Sequence, residues 1–585
     1  MLLIDINKYL VKVSKPAQYL GNELNSVHKN KNDYKLHSCF IFPDLYEIGM
    51  SSLAVHILYN IVNNESEHYI ERAFAPDIDL EEILRKKDLP LFSLETKTAL
   101  NKFDVLGFTL SYELSYTNVL NIINLGKMEL ESKNRLESDP ILIAGGTGAN
   151  NPIVMEEFFD AFIIGEGEEV FLEMLNAIKE NQHLTKKEKL EKLSNIDGVY
   201  VPLFKKEVKK RIVADLNNLN YEYKQIVPFV KVVHERAILE IQRGCTRGCR
   251  FCQAGIVYRP IREKNLSKNK DEIRNLLDST GYNEISLTSL SSSDYSKISE
   301  LINIFSTEYK SENISVSLPS LRMNTHSVDI AAKIEEGKKT GFTFAPEAGS
   351  QRMRDIINKG VSEEEIMETA ISAVTNGWTR LKFYFMIGLP FETDEDVYAI
   401  GKLINEVLGK CVPINRSLKV TVSVSNFVPK PHTPFQWEKQ INLSEIDRKQ
   451  NLLREMFFKN RRVTLRLHDK ELSYIEGYIS RGNEKTGKLI KRAWELGAKF
   501  ESWKEHFKFN VWIQALNDTN IKEEEFFGKQ DLELPWDFIN IGVSRDFLMK
   551  ELEKAKEISL TKDCRLGCNN CGMIKNLNCE MKYSV

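Results

Sequence analysis

No stretch of the 585 residues approaches the roughly 18 apolar residues that a membrane span requires; the longest apolar run, near 383–391, is broken by Gly388 and Pro390. The first ten residues lack both a basic segment and a long apolar core, so no secretory signal is expected and a cytoplasmic location is. Neither sign of charge dominates. With 80 Lys+Arg against 83 Asp+Glu the net charge is −3, which excludes a chain that coats nucleic acid through bulk electrostatics and leaves only a local basic groove. There is no internal repeat and no low-complexity tract. Disorder is excluded by 42% hydrophobic and 28% charged residues, and the length predicts about three or four domains. Cysteine is scarce. Of the nine, Cys39 and Cys411 stand alone, and the other seven form two tight clusters. In a large cytosolic chain such clusters favour metal over disulfides.

The pattern of the chain is α/β. Residues 1–180 alternate short apolar runs with amphipathic stretches, with strands expected at 37–42, 104–110, 141–144 and 160–164, which predicts a doubly wound parallel sheet. Glycines end the later strands, at Gly145-Gly146 and Gly165-Glu166-Gly167-Glu168, and put a ligand crevice there. Lysine-rich residues 181–235 read as a connecting region. Alternation resumes over 236–436, with strands expected at 237–241, 284–288, 314–318, 341–345, 381–387 and 418–426; six βα units predict a partial parallel barrel with its site at the strand C-termini. Residues 437–555 read as mostly helical, with Ser444-x-x-Asp447 as a capping signal, and 556–585 form a cysteine-rich tail.

The first cysteine cluster follows the strand at 237–241. Cys245, Cys249 and Cys252 have C-x3-C-x2-C spacing on a loop containing Gly244 and Gly248. Glycines let such a loop curl so that three sulfurs face one centre. Three thiolates on a four-iron cube leave one iron open for a ligand that is also the reactant, whereas a structural zinc normally takes four ligands, and no fourth Cys or His lies nearby in sequence.

With Phe251 between its last two cysteines and the barrel pattern after it, this loop resembles the signature of the radical SAM superfamily over about 236–436. The resemblance implies a [4Fe-4S] cluster on Cys245, Cys249 and Cys252, S-adenosylmethionine (SAM) on the open iron, release of a 5′-deoxyadenosyl radical, and an electron donor such as flavodoxin or ferredoxin. It also implies cofactor contacts from Phe251, from Arg322 after the third strand, from Glu347 after the fourth and from Gly388 after the fifth. The hydroxyl-rich 288–294 stands where many members carry GGE.

The N-terminal segment resembles the cobalamin-binding domain attached to many radical SAM proteins. Asp44-x-Tyr46-x-x-Gly49 sits where those domains carry D-x-H-x-x-G, followed in order by Ser111-x-x-Leu114 and Gly145-Gly146-Thr147. The resemblance implies cofactor contacts from Tyr46, Ser111, Gly145 and Gly146. Tyrosine in place of the axial histidine implies that a bound cobalamin is not His-on. A dinucleotide site is not expected, because the run starting at Gly146 lacks the last glycine of G-x-G-x-x-G. From 43 to 572 the motif order resembles an uncharacterised family of B12-binding-domain-containing radical SAM proteins often met beside a small DUF2344 protein, a possible partner.

In the tail, Cys564, Cys568 and Cys571 repeat the C-x3-C-x2-C spacing and Cys579 adds a fourth thiol; an auxiliary [4Fe-4S] cluster, a zinc site and free thiols all fit. Residues 482–489 nearly match a P-loop, but Leu489 replaces the magnesium-binding Ser or Thr, so nucleotide hydrolysis is not expected. The leading expectation is a radical SAM enzyme performing cobalamin-dependent methylation. Its alternatives are methylthiotransferase-like sulfur insertion using the tail cluster and, in another class, a nucleic-acid- or ribosome-binding protein with a structural cluster, suggested by the basic stretches at 205–211 and 448–466. The substrate class (RNA, protein or small molecule) stays open.

Overall fold

The computed structural model describes residues 6–219, 224–319, 323, 325–334, 341–528 and 533–577. The N-terminal sheet has six strands: β1 (His37–Phe42), β2 (Tyr69–Phe74), β3 (Val105–Thr109), β4 (Ile141–Gly145), β5 (Ala161–Ile163) and β6 (Val199–Tyr200). Their order is β2-β1-β3-β4-β5-β6, parallel except for β6. Alternate side chains enter opposite cores, as the two-residue period of a strand requires. Phe40 and Phe42 pack beneath the helices Leu53–Glu65 and Gly167–Glu180. Cys39 and Ile41 face the helix Tyr116–Leu125, and beyond it the C-terminal helices bring Leu489, Ile490 and Trp512 into the same core. The C-terminal helices therefore cover the second face of the N-terminal sheet.

The sequence pattern does not reveal β2, because Glu71 and Arg72 interrupt its apolar run. Both are buried, Glu71 against His37 (2.6 Å) and Arg72 against Glu23 (2.8 Å) and Glu95 (2.6 Å). A buried charge persists only where it is paired, and these partners lie in other segments.

The central region supplies β7 (Ala237–Glu240), β8 (Glu284–Thr288) and β9 (Ser315–Ser317), then β10 (Phe342–Glu347), β11 (Arg380–Ile387) and β12 (Lys419–Asn426). All pair in parallel, in the runs β9-β8-β7 and β10-β11-β12. A further strand, β13 (Val463–Leu467), extends the second run from within the stretch read as helical. Side-chain caps set the intervening helices: Asn265 accepts from the Lys268 amide and Ser362 forms a capping box with Glu365. The helix Leu443–Phe457 starts from Asn442, whose side chain accepts from the Glu445 amide, and not from Ser444. Residues 482–489 are a helix start capped by Asn483 rather than a phosphate loop.

Candidate active site

Two cavities open at strand C-termini and meet at Leu290. The barrel cavity, of about 540 Å³, is lined by Cys245, Cys249, Cys252, Phe251, Glu347 and Lys359 among others. The seam cavity, of about 430 Å³, lies between the N-terminal sheet and the start of the barrel, lined by Gly107, Gly145, Gly146, Gly165, Gly167, Tyr258, apolar side chains and the charged Glu166, Glu168 and Arg243 among others. Leu290 is 40% exposed and lines both.

The cysteine loop starts at Gly244, whose φ of +87° and position 2.6 Å (as an added Cβ) from the Pro260 carbonyl oxygen admit only glycine. Arg250 then braces the loop from behind, its guanidinium donating to the carbonyls of Ile356 (2.8 Å) and Ser559 (2.6 Å). The Arg247 amide donates to Cys245 Sγ at 3.4 Å, and the Gly255 amide donates to Cys252 Sγ at 3.3 Å, at the start of the helix Gln253–Val257. Burial pushes the Cys252 thiol up to about 12 and the Cys245 thiol up to about 11, with Cys249 adding repulsion to both. Ionising Cys245 and Cys252 in this setting therefore requires a compensating cation, which a metal cluster would supply. Among the described residues, no three His, Cys, Asp or Glu side chains close on one point as ligands of a single ion do. Three thiols on one loop match the three-cysteine ligand set of a four-iron cube, which leaves one iron open, whereas a structural zinc takes four ligands.

Around the thiols, Glu347 ends β10 in the left-handed region (φ +69°), at a register shift against β11. That conformation costs a non-glycine residue about 1 kcal/mol and is held by an ion pair to Lys359 at 3.2 Å. Arg247 pairs with Asp294 (2.8 Å), whose carboxyl the arginines hold well below the usual range. Gly388 is outside the cavity lining: its amide donates to Glu392 Oε2 (2.8 Å), and an added Cβ would lie 2.6 Å from Ile441. Arg322 lies outside the described residues.

At the seam cavity, Gly145 and Gly146 are present, but Tyr46 and Ser111 are not in the lining. Tyr46 is buried in the core beneath β1 and donates to Glu23 Oε1 at 2.9 Å, so its ring follows the core face of the short helix Tyr46–Gly49. Ser111 is exposed, its hydroxyl 2.9 Å from that of Thr109. Added methyl groups at Gly145 and Gly167 would find their nearest neighbours at 3.7 and 3.6 Å, so bareness there serves the cavity rather than packing.

Sequence reasoning missed a clasp between the two halves. Glu166 pairs with Arg262 (2.7 Å) and Arg243 (3.1 Å), and Arg243 also pairs with Glu168 and Glu240 (2.7 Å each). The signal was the paired Glu166 and Glu168 of the Gly165–Glu168 turn, which bind arginines of this chain.

With this geometry in view, residues 54–202 match the N-terminal region of radical SAM proteins and residues 239–404 match the radical SAM superfamily. The chain carries radical SAM domains and is an enzyme of that class. Among known proteins, it is 29% identical to an uncharacterized protein of Methanocaldococcus jannaschii, over 77% of this chain and 89% of that one. It is 24% identical to the threonylcarbamoyladenosine tRNA methylthiotransferase MtaB of Aquifex aeolicus, over 48% of this chain and 71% of that one. The structure of the cobalamin-dependent SAM radical enzyme OxsB with aqua-cobalamin bound overlaps 93% of this chain and 83% of its own, at 12% identity and a TM-score of 0.49, a likeness that carries no functional weight.

Proposed function

We propose that the chain cleaves SAM reductively at a [4Fe-4S] cluster held by Cys245, Cys249 and Cys252 and methylates a substrate carbon with a corrinoid bound at the seam cavity. The observation that carries this reading is the junction of the two cavities at Leu290. A thiol-lined chamber and a glycine-lined chamber that share one wall can present one substrate to both cofactors. When bound, the cluster supplies the electron that splits the sulfonium, and the methylcorrinoid supplies the methyl group.

The chain's own residues do the rest. Phe251 covers the SAM chamber, Glu347 accepts from the ribose hydroxyls while Lys359 holds its carboxylate in place, and Leu290 gives both chambers one apolar wall. Gly145, Gly146 and Gly167 let the corrin approach backbone directly. No histidine is among the described lining residues of the seam cavity, and Tyr46 is engaged with Glu23, so these residues would offer a corrinoid no imidazole and not the Tyr46 phenol.

The name of the Aquifex relative favours a second reading, sulfur insertion into RNA. The nucleic-acid-binder reading is weakened because part of each basic stretch is ion-paired: Lys205 with Glu156 (3.0 Å), Arg211 with Glu169 (3.2 Å) and Arg448 with Asp394 (2.7 Å). Anaerobically reconstituted protein, reduced with dithionite and given SAM, is expected to form 5′-deoxyadenosine and to take up hydroxocobalamin by visible absorption. No 5′-deoxyadenosine would overturn the radical reading. Turnover without corrinoid uptake would overturn the methylation reading and favour sulfur insertion.

A further inference from the structure

The two three-cysteine loops, 245–252 and 564–571, are in backbone contact. The Cys564 amide donates to the carbonyl of Thr246, next to Cys245, at 3.1 Å. Asp563 accepts from the Thr246 hydroxyl at 3.1 Å and pairs with Arg247 at 2.8 Å. The Asn358 side chain ties the loops again, donating to the Gly248 carbonyl (3.0 Å) and accepting from the Thr561 amide (2.9 Å). Arg565 joins Arg247 on Asp294, at 2.9 Å.

The tail loop is curled, with donors at two of its sulfurs. Gly567 (φ +147°), Asn570 (φ +52°) and Gly572 (φ +100°) curl it. The Asn570 amide donates to Cys568 Sγ at 3.3 Å and the Asn569 carboxamide to Cys564 Sγ at 3.6 Å, and hydrogen bonds of this kind tune cluster sulfurs.

Position separates the roles such a cluster can have. None of the described tail cysteines lines either cavity, so the tail loop stands outside the chamber where a substrate would meet its sulfur. Cys568 is exposed, whereas the first loop's thiols face the interior chamber. We infer that Cys564, Cys568 and Cys571 hold a second iron–sulfur cluster that is the electron inlet to the first, an inference that rests on the radical SAM reading above. One electron leaves a low-potential donor of the flavodoxin or ferredoxin class at the exposed rim, reduces the tail cluster and passes to the first cluster. The donor is oxidised by one electron, and no bond forms or breaks and no proton moves at the tail.

The test compares full-length wild type, a Cys245→Ala/Cys249→Ala/Cys252→Ala variant and a Cys564→Ser/Cys568→Ser/Cys571→Ser variant, all reconstituted anaerobically. Wild type is expected to hold about eight irons and each variant about four. The ratio of flavodoxin-driven to dithionite-driven 5′-deoxyadenosine formation is expected to fall at least tenfold in the tail variant and in the single exposed variant Cys568→Ser. Wild type with about four irons, all lost with the first loop, would overturn this inference and leave the proposed function standing; so would zinc in the tail. An unchanged donor ratio at halved iron would overturn the inlet role. Iron lost only with the tail would instead overturn the proposed function and leave the second cluster in place.

Discussion

The cavity at the edge of the N-terminal sheet offers its ligand glycine backbone, apolar walls and charges already paired to one another (Glu166, Glu168 and Glu240 with Arg243), while the chamber at the barrel mouth offers three thiols, a glutamate–lysine pair and an arginine. The first selects by shape and the second by charge and bonding. They also differ in how each holds its form. The barrel chamber is braced by hydrogen bonds from Arg250 to carbonyls of two other segments. The seam cavity is held open by the buried clasp of Glu166, Glu168 and Glu240 on Arg243 and Arg262, which fixes one domain against the other. Breaking one partner of such a buried pair costs several kcal/mol, because the other charge is left without compensation.

The contrast is sharpest at the thiols. Cys252→Ala removes one of three ligands and is expected to lower 5′-deoxyadenosine formation by more than the ~100-fold that loss of an outer-shell partner costs. Corrinoid uptake at the seam is expected to stay intact. Loss of both together would show that the chambers are not independent.

A second break falls behind the seam, where the C-terminal helices meet the N-terminal sheet. Glu501 is buried against the Thr117 hydroxyl, and burial pushes its carboxyl up to about 7 from an ordinary 4.5. The folded state therefore binds a proton that the unfolded chain releases. That contribution is fully present below pH 4.5 and is lost as pH rises through about 7, a span of about 3 kcal/mol. Glu501→Gln is expected to flatten the fall in stability between about pH 5 and pH 8, read by urea denaturation, without moving ligand uptake at either chamber. An unchanged pH profile would show that Glu501 is ionised in the folded protein.

Shape selection at the seam is tested by filling it. Gly145→Val adds a side chain where the nearest neighbour of the first added carbon is 3.7 Å away. It is expected to weaken hydroxocobalamin uptake about tenfold, about 1.4 kcal/mol, with iron content unchanged. Uptake that survives the valine would move the corrinoid out of this cavity.

The same contrast explains what the sequence made legible. The cysteine loop and its chamber could be read because bonding chemistry fixes residue type and spacing, and the six central strands because apolar residues run or alternate along them, as in Lys419–Asn426, between turn residues. The seam cavity was legible only in part. Gly145 and Gly146 line it, but Tyr46, placed by motif order at the cofactor, turns into the core, where Glu23 accepts its hydroxyl. Nothing local in Asp44-x-Tyr46-x-x-Gly49 encodes that turn, since the accepting carboxylate is 23 residues upstream. Strand β2 was hidden by buried charges whose partners are remote. Strand β13 was hidden because its side chains are only half-buried or exposed along its length, so no apolar run marks it.

The smallest expected effect is at Glu347, which brings a carboxylate to the wall of the barrel chamber. Its backbone stays in the left-handed region only because the β10 register shift and the Lys359 ion pair hold it there. Glu347→Gln keeps size and one acceptor oxygen but removes the charge that both Lys359 and a ribose hydroxyl would engage. A charged hydrogen bond reduced to a neutral one is worth about 1 kcal/mol, so the KM for SAM is expected to rise about fivefold. A structural role alone would lower kcat and KM-dependent rates together through loss of folded enzyme. A rise in KM at constant kcat, with iron content unchanged, assigns Glu347 to cosubstrate binding, and an unaltered KM would remove it from the chamber's working set.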